Sequence, residues 1–292
     1  MTSRRSAAEW GRQPAPPEPA IDVLIGTVGR TAELAVALAG LAAQDDPPFR
    51  VIVSDQSDAH PAATDPAVQA MLRVLEVQGR SPQLVRHRPR RGIAEHRDFL
   101  LSRSSADAVL FLDDDVWLEA GALQRLHDAL TTLDCGFVGM APQGLSYLDD
   151  RRPHEHRPFE RWDGPVRPER IRRGEPGFER WTLHNAANLV HVAADEGEPE
   201  QGWLPYRIAW IGACVLYRRE ALVECGGFGF WRDLPPAHAG EDVVAQWRVM
   251  ERYGAAGLLP SGAVHLEAPT TIPDREVDAP DVVFAREDRM AG

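Results

Sequence analysis

Short apolar runs alternate with helical patterns through the first half of the chain, and this alternation limits the fold more than any other feature. The apolar runs, each bounded by turn residues, lie at residues 21–25, 49–54, 84–87 and 108–112. Helical periodicity fills the segments between them, at residues 31–43, 68–77 and 93–104. Because a strand, a crossover helix and a second strand form a parallel unit, the order predicts a doubly wound α/β fold.

The second half of the chain alternates less regularly between strand and helix patterns. A helix over 121–132 and a strand over 136–140 continue the pattern, a strand returns at 208–217, and helices are predicted at 219–225 and 241–253. Between them, Pro, Arg, Trp and His crowd residues 142–205, which we interpret as an irregular insert. The predicted organisation is a disordered leader at 1–20, a first half at 21–141, the insert and second half of the same domain at 142–267, and a polar tail at 268–292.

Composition excludes several functional classes. The 32 basic and 44 acidic residues give a net charge of −12, which disfavours binding to nucleic acid because phosphate backbones require a basic surface. Every basic residue is Arg, so a lysine Schiff base and a P-loop lysine are both excluded. The three cysteines are far apart, which indicates neither a disulfide framework nor a zinc site. No apolar stretch approaches the roughly 20 residues of a transmembrane helix, so we expect a cytoplasmic protein.

Three consecutive carboxylates, Asp113, Asp114 and Asp115, follow the most apolar predicted strand. Adjacent negative charges repel one another, and a hard divalent ion such as Mn²⁺ or Mg²⁺ would neutralise them together with phosphate oxygens. Their position also fits, because ligands of open α/β sheets gather at the carboxyl ends of the strands. The alternative is structural: one aspartate could cap a helix over residues 116–120.

Two further segments of the first half are candidates for nucleotide contact. Asp55 and Ser57 follow the second strand, where a carboxylate could meet the imide edge of a base or a ribose, although an Asx turn explains the same residues. Gly92 begins a predicted helix that carries Arg97. Glycine allows close approach of the backbone and Arg97 offers a forked donor to phosphate, with a salt bridge as the competing explanation.

The second half offers candidates for the acceptor and for catalysis. Gly226, Gly227, Phe228 and Trp231 combine flexibility with aromatic rings, as a sugar-binding platform would, or as a helix end followed by a buried turn. Glu241 and Asp242 begin a helix, where they either favour its dipole or present a general base. His265 ends a short apolar stretch and could complete a metal shell, although a single histidine is usually structural.

In this order the segments resemble glycosyltransferase family 2, inverting enzymes with the GT-A fold. The similarity runs from residue 21 to residue 265 and is carried by six short motifs, at residues 21–27, 53–57, 92–98, 111–116, 225–228 and 240–242. The resemblance implies a Rossmann-like, mostly parallel central sheet flanked by helices, with the insert and a C-terminal region on the acceptor side. It also implies transfer of a sugar from a nucleoside diphosphate sugar, with a UDP-sugar favoured, to a hydroxyl acceptor that the sequence does not identify.

The resemblance also implies roles for individual residues. Asp115 would bind the metal directly, Asp113 would meet the ribose and the metal, and His265 would add a further ligand. Asp242 would be the catalytic base, with Glu241 beside it. The remaining donor-site residues are expected to be Thr27, Arg30, Asp55, Ser57, Gly92, Arg97 and Asp114.

Two other functions remain compatible with the sequence. A nucleotidyltransferase uses a similar acidic metal site, and a non-catalytic relative could bind nucleotide or carbohydrate without turnover. A second metal could also be held within the insert, by His154, Glu155 and His156 together with His184 or His191.

Overall fold

The structure is a computed structural model that describes residues 7–12, 16–272 and 275–291. Its strands are β1 (Ile21–Thr27), β2 (Phe49–Asp55), β3 (Gln83–Arg86), β4 (Ala108–Leu112), β5 (Val116–Leu118), β6 (Phe137–Gly139), β7 (Leu204–Tyr206), β8 (Cys214–Arg218), β9 (His238–Ala239), β10 (Ala255–Leu259), β11 (Ala263–His265) and β12 (Val277–Asp278). Its α-helices are α1 (Ala7–Trp10), α2 (Thr31–Ala42), α3 (Pro66–Val77), α4 (Ile93–Ser102), α5 (Ala122–Leu133), α6 (Asn188–Glu196), α7 (Arg219–Glu224), α8 (Glu241–Tyr253) and α9 (Ala279–Ala291). Short 3-10 helices lie at Ala62–Thr64, Leu145–Tyr147, Phe178–His184 and Gly229–Asp233.

Eight strands form the central sheet, in the order β3-β2-β1-β4-β8-β6-β10-β7. The pairs from β3 to β4 are parallel, as is the β6–β10 pair. Strand β8 is antiparallel to both of its neighbours, and β7 is antiparallel to β10 at the edge. The chain winds from β1 outward to β3 and then returns to place β4 on the other side of β1. This reversal creates the crevice in which open α/β sheets bind their ligands.

The sheet is covered on both faces. Along β1, Val23 and Ile25 pack in one apolar cluster with α2, α3 and α5, whereas Leu24 belongs to a second cluster with α4 and α8. This division follows from the strand geometry, in which successive side chains point to opposite faces. The second cluster also takes in Leu183 and Leu189 of the insert. The predicted three-layer α/β arrangement therefore has a core on each side of the sheet.

Most predicted elements lie where the periodicity placed them, but three segments differ. The strand expected at 208–217 begins only at Cys214, and residues 208–213 are irregular. The insert at 142–205 is largely irregular, yet it contains α6. The polar tail predicted for 268–292 instead pairs β12 with β9 and ends in α9, where Val283 and Phe284 are buried. The Phe284 ring stacks on Trp247 with centroids 5.7 Å apart. This segment has apolar residues at helical spacing, but its many charged residues obscure the pattern in the sequence.

The structure describes only part of the predicted leader, at residues 7–12 and 16–20. Residues 1–6 and 13–15 lie outside the described residues, and α1 falls between them. Within the described part of the chain, no helix is both long enough and apolar enough to cross a membrane.

Candidate active site

A cavity of about 670 Å³ opens where the strand order reverses. Gly26 and Val28 line it from the carboxyl end of β1, and Asp113 lines it from the carboxyl end of β4. The acidic cluster therefore lies at the carboxyl edge of the sheet, as the order of strands and helices predicted.

The three aspartates differ in what they contact. The Asp113 side chain is 42% exposed, whereas that of Asp115 is only 4% exposed. Asp114 accepts a hydrogen bond from the Thr27 hydroxyl at 2.7 Å and another from Arg30 Nη1 at 3.0 Å. The same Arg30 nitrogen donates to Asp115 Oδ2 at 2.6 Å. Thr27 and Arg30 thus contact the acidic cluster, and Arg30 also lines the cavity.

Burial disfavours the ionised forms of the two inner aspartates, Asp114 and Asp115. Burial raises the pKa of Asp114 to about 6, although the Thr27 hydrogen bond and the Arg30 charge act in the opposite direction. Burial also raises the pKa of Asp115, against the charges of His265 and Arg30. A raised carboxyl pKa means that the ionised form is disfavoured, and a divalent cation at this position would favour it.

His265 reaches the cluster through strand pairing. Strand β11 is antiparallel to β5, with His265 opposite Val116, and Leu266 N donates to Asp115 O at 2.8 Å. His265 Nε2 lies 3.5 Å from Asp115 Oδ2. Because residues 116–118 form a strand, the alternative of an aspartate capping a helix there is wrong.

The hydrogen bonds of His265 limit what its ring can offer a metal. Its Nδ1 accepts from Glu267 N at 2.7 Å, so in the neutral ring the proton is on Nε2, which then has no lone pair for an ion. Across the residues that the structure describes, no group of three His, Cys, Asp or Glu side chains is arranged to hold a metal ion. The predicted trio of Asp113, Asp115 and His265 is therefore close together without being a preformed shell.

Arg97 connects the cavity to the start of α8. Its Nε donates to Glu241 Oε1 at 2.7 Å and its Nη2 donates to Asp113 Oδ1 at 3.3 Å. Burial acts against the charged guanidinium, but the charges of Glu241 and Asp113 outweigh burial and raise the Arg97 pKa. Glu241 is consequently committed to a buried ion pair.

Asp242, the predicted base, has no such ion pair. Burial and the adjacent Glu241 raise the pKa of Asp242 to about 7, while Arg97 acts in the opposite direction. One carboxylate oxygen accepts from Val243 N at 2.9 Å. The side chain is partly buried and does not line the large cavity, although it lies in the field of Asp113, which does.

The loop after β2 is organised by the residues predicted to contact the nucleotide. Both oxygens of the buried Asp55 accept backbone hydrogen bonds, from Ser57 N at 2.7 Å and Ala62 N at 2.8 Å. The hydroxyl of Ser57, also buried, accepts from Gly29 N at 2.8 Å. Neither side chain lines the cavity, whereas Gln56 does. The geometry corresponds to the Asx-turn interpretation, and a direct nucleotide contact by Asp55 stays a prediction.

Gly92 lines the cavity and has a backbone that requires glycine. Its φ is +107°, and a Cβ there would lie 2.5 Å from His238 Cε1. The sequence predicted a close approach of the backbone at this glycine, and in the structure the backbone approaches the side chain of His238.

The aromatic residues of the predicted acceptor platform pack inside the fold. Phe228 is fully buried, with its ring 5.1 Å from that of Phe111, and Trp231 is partly buried and donates to Asp98 Oδ2 at 2.9 Å. Gly226 and Gly227 adopt positive φ directly after α7. The segment is a helix end followed by an apolar turn, because its aromatic rings fill the core behind β4.

The side chains suggested for a second metal site in the insert make other contacts. Glu155 accepts from Asn188 Nδ2 at 2.7 Å, and His156 Nε2 is 3.1 Å from Asn188 Oδ1. His184 pairs instead with the Tyr206 hydroxyl at 3.1 Å, and His154 is exposed. The described residues contain no metal-binding group at this position.

Several residues in the wall of the cavity were not predicted from the sequence. Arg90 lies on the first half, and Thr271, Ile272 and Arg275 come from the segment expected to be a tail. Arg30 donates to the carbonyl of Pro269, which holds this segment beside the acidic cluster. Arg90, within the run Arg88-Pro89-Arg90-Arg91, could have been found from its basic neighbours; the later segment carries no comparable signal.

Known structures share this fold. The chain matches the crystal structure of S. aureus TarS 1-349 in complex with UDP-GlcNAc with a TM-score of 0.51 and 14% identity, covering 86% of this chain and 60% of that one. It matches the mannosyltransferase PcManGT from Pyrobaculum calidifontis, in complex with GDP-Man and Mn²⁺, with a TM-score of 0.50 and 19% identity, covering 86% and 61%. The GT-A fold expected from the sequence is confirmed by these neighbours.

Sequence comparison agrees with the fold. The pre-mycofactocin glycosyltransferase of Mycobacterium tuberculosis is 25% identical over 205 residues, which are 70% of this chain and 34% of that protein. The chain thus spans about a third of the length of the curated relatives it matches. The profile of the family described as glycosyl transferase family 2 matches residues 22–195, which is more than half of the chain. This match favours glycosyl transfer over nucleotidyl transfer, and the chain belongs to glycosyl transferase family 2.

Proposed function

We propose that this protein is a metal-dependent, inverting glycosyltransferase that moves a sugar from a nucleoside diphosphate sugar to an acceptor hydroxyl. The observation that carries the proposal is the composition of the cavity wall. It combines the acidic cluster with four arginines, Arg30, Arg90, Arg97 and Arg275. Carboxylates suit a divalent cation and guanidinium groups suit phosphate oxygens, so the wall has partners for both parts of a metal-bound diphosphate.

The residues present fit a divalent cation held mainly by the donor. Asp113 and Asp115 supply the hard oxygen ligands that Mn²⁺ and Mg²⁺ prefer, and such ions commonly bind through one or two carboxylates with substrate phosphates completing the shell. His265 would join them only if its Nδ1 carried the proton, which would break the hydrogen bond from Glu267 N. When bound, the cation would neutralise charge on the diphosphate leaving group.

The chain's own residues would bind and orient the substrates. Arg30 lies within hydrogen-bonding distance of both buried aspartates, so binding of a cation would release its guanidinium toward the phosphates. Arg97 holds Glu241 and thereby fixes the first turn of α8. Asp242 follows Glu241 in that turn, and it would accept the proton of the acceptor hydroxyl as the hydroxyl attacks the anomeric carbon. A single displacement of this kind inverts the configuration and needs no covalent intermediate.

The donor is proposed from the same cavity. The similar structures were solved with UDP-GlcNAc and with GDP-Man, so both bases occur on this fold. A UDP-sugar is our first candidate. The cytoplasmic location expected from the composition remains a prediction.

A donor-binding experiment tests the proposal. Thermal melting is measured with UDP, GDP and their common sugar conjugates, with and without Mn²⁺, because a ligand that binds the folded state raises the melting temperature. We expect one nucleotide to shift the melting temperature more with Mn²⁺ than without it, and donor hydrolysis to accompany binding. Asp115→Asn should abolish the Mn²⁺-dependent part. Asp134→Asn is the matched control, because Asp134 is exposed and lies away from the cavity. Equal nucleotide shifts with and without Mn²⁺ would contradict the metal assignment.

A further inference from the structure

A second cavity, of about 380 Å³, lies between the insert and the acidic cluster. Tyr147, Trp181 and Asn185 line it from the insert, and Trp210 and Glu267 line it from the second half of the fold. It was not anticipated from the sequence, because its wall is assembled from four separate segments.

Aromatic rings dominate this second cavity. Trp181 and Tyr147 are 40% and 48% exposed, although large apolar side chains are usually buried. Trp210 is held from behind by Trp247 and Phe178, with ring centroids 6.5 Å and 5.8 Å away. Trp210 is therefore fixed by core packing, and Trp181 and Tyr147 leave aromatic surface open to a ligand in the same wall.

The backbone around the second cavity is strained. Three non-glycine residues in its wall have positive φ: Ala186 at 46°, Ala213 at 68° and Glu267 at 58°. Such conformations cost free energy and cluster at ligand-binding and active sites. Three of them in one wall indicate that its shape is maintained for a reason other than packing.

The second cavity adjoins the proposed catalytic residues. His265 lines both cavities, and Ala213 O accepts a hydrogen bond from Asp113 N at 2.8 Å. The segment before β8 is fixed to α8 by Gln246, whose side chain accepts from Ile211 N at 2.8 Å and donates to Ile211 O at 2.6 Å. Gln246 is one helical turn from Asp242, so the wall of the second cavity is attached to the helix that carries the proposed base.

The two cavities differ in charge. Four arginines line the first, whereas none lines the second, where Glu267 supplies a negative charge. A phosphate or carboxylate ligand would therefore be repelled from the second cavity. A neutral ring with hydroxyl groups would fit, because its C–H face can lie on the electron-rich face of Trp181 while Asn185 and Glu267 hydrogen-bond its edge.

We propose that the second cavity is the acceptor subsite and that it binds a neutral pyranose ring stacked on Trp181. This assignment rests on the proposed function and replaces the acceptor platform predicted at residues 226–231. It identifies the acceptor by class, as a neutral glycan or glycoside whose free hydroxyl extends toward the cluster shared by the two cavities.

The test uses the purified full chain and neutral methyl glycosides of glucose, galactose, mannose and N-acetylglucosamine. Binding is measured by saturation-transfer NMR, and nucleotide binding is measured separately by calorimetry with UDP, GDP and Mn²⁺. Methyl glucuronide serves as the anionic probe. We expect at least one neutral glycoside to bind, and Trp181→Ala to weaken that binding at least tenfold with nucleotide affinity unchanged within twofold.

Trp117→Ala is the matched control, because Trp117 is 37% exposed and lines neither cavity. It should leave glycoside binding unchanged. Tyr147→Ala gives a second, independent reduction. The proposal is overturned if nucleotide binds while no neutral glycoside does, if binding survives Trp181→Ala, or if the glucuronide binds more tightly than its neutral counterpart. Glycoside binding without any nucleotide or nucleotide-sugar binding would instead refute the proposed function and the acceptor role with it.

Discussion

Replacing Arg97 by methionine should destabilise the fold strongly, because it leaves a buried carboxylate without its partner. Arg97 and Glu241 are both largely buried, with 2.7 Å between Nε and Oε1. Removing one member of a buried ion pair typically costs about 3–5 kcal/mol. The other contact, to the more exposed Asp113 at 3.3 Å, adds little because solvent screens it.

We therefore expect Arg97→Met to lower the free energy of unfolding by about 3–4 kcal/mol at pH 7, the lower part of that range, because the Arg97 side chain is still 12% exposed.

Urea denaturation measures the loss. With a slope of about 3 kcal/mol per molar urea, the midpoint should fall by about 1 M. The double variant Arg97→Met/Glu241→Gln should recover most of the loss, because no buried charge remains.

Arg286→Met is the matched control. Arg286 pairs with Asp233 at the surface, and loss of such a pair costs less than about 1 kcal/mol. If Arg97→Met cost no more than this control, or if the double variant recovered none of the loss, the reasoning about the buried pair would be refuted.

Three further predictions concern the base, the cavity wall and the terminal helix. Because burial raises the pKa of Asp242 to about 7, the rate of transfer should increase as the pH rises through 7, and Asp242→Asn should lower kcat by about 100-fold or more while donor binding persists. The wild type should lose stability as the pH rises from about 4 to 7, whereas the stability of the variant should not change over this range. Gly92→Ala should lower stability by about 1–3 kcal/mol in thermal melts, and more than Gly174→Ala, which shares the positive φ but has open space around it. Phe284→Ala should lower the free energy of unfolding, measured in urea, by about 3 kcal/mol, whereas Val223→Ala at an exposed position should lower it by less than about 1 kcal/mol. Equal effects would show that α9 does not pack on the core.

Local patterns in the sequence predicted the elements well. The helix expected at 241–253 has the same bounds in the structure, and the apolar run at 108–112 is the buried strand β4. Both signals are short-range, because periodicity and the alternation of strand and helix are visible within a few residues. The position of the acidic cluster followed as well, since parallel strands share one carboxyl edge.

Contacts between distant segments were less predictable. The Cys225-Gly226-Gly227-Phe228 motif has a composition that suits either a sugar platform or a buried turn, and only the packing of Phe228 against Phe111 distinguishes them. The terminal segment was expected to be a tail because it is rich in charge, yet β12 pairs with β9 and α9 packs on α8. Burial is decided by the shape of the remaining surface, which a local pattern does not contain.

The sequence by itself determined the α/β fold and the family, because strand and helix periodicities and six short motifs are properties of the chain order. It also placed a triple carboxylate at the edge where such folds bind ligands. Only the tertiary structure decided how deeply each of these carboxylates is buried, that Arg30 and Arg97 neutralise parts of the cluster, and that an aromatic second cavity lies beside it. The physical reason is that charge compensation and cavity shape depend on side chains tens to hundreds of residues apart, whose meeting is fixed by the packing of the whole sheet.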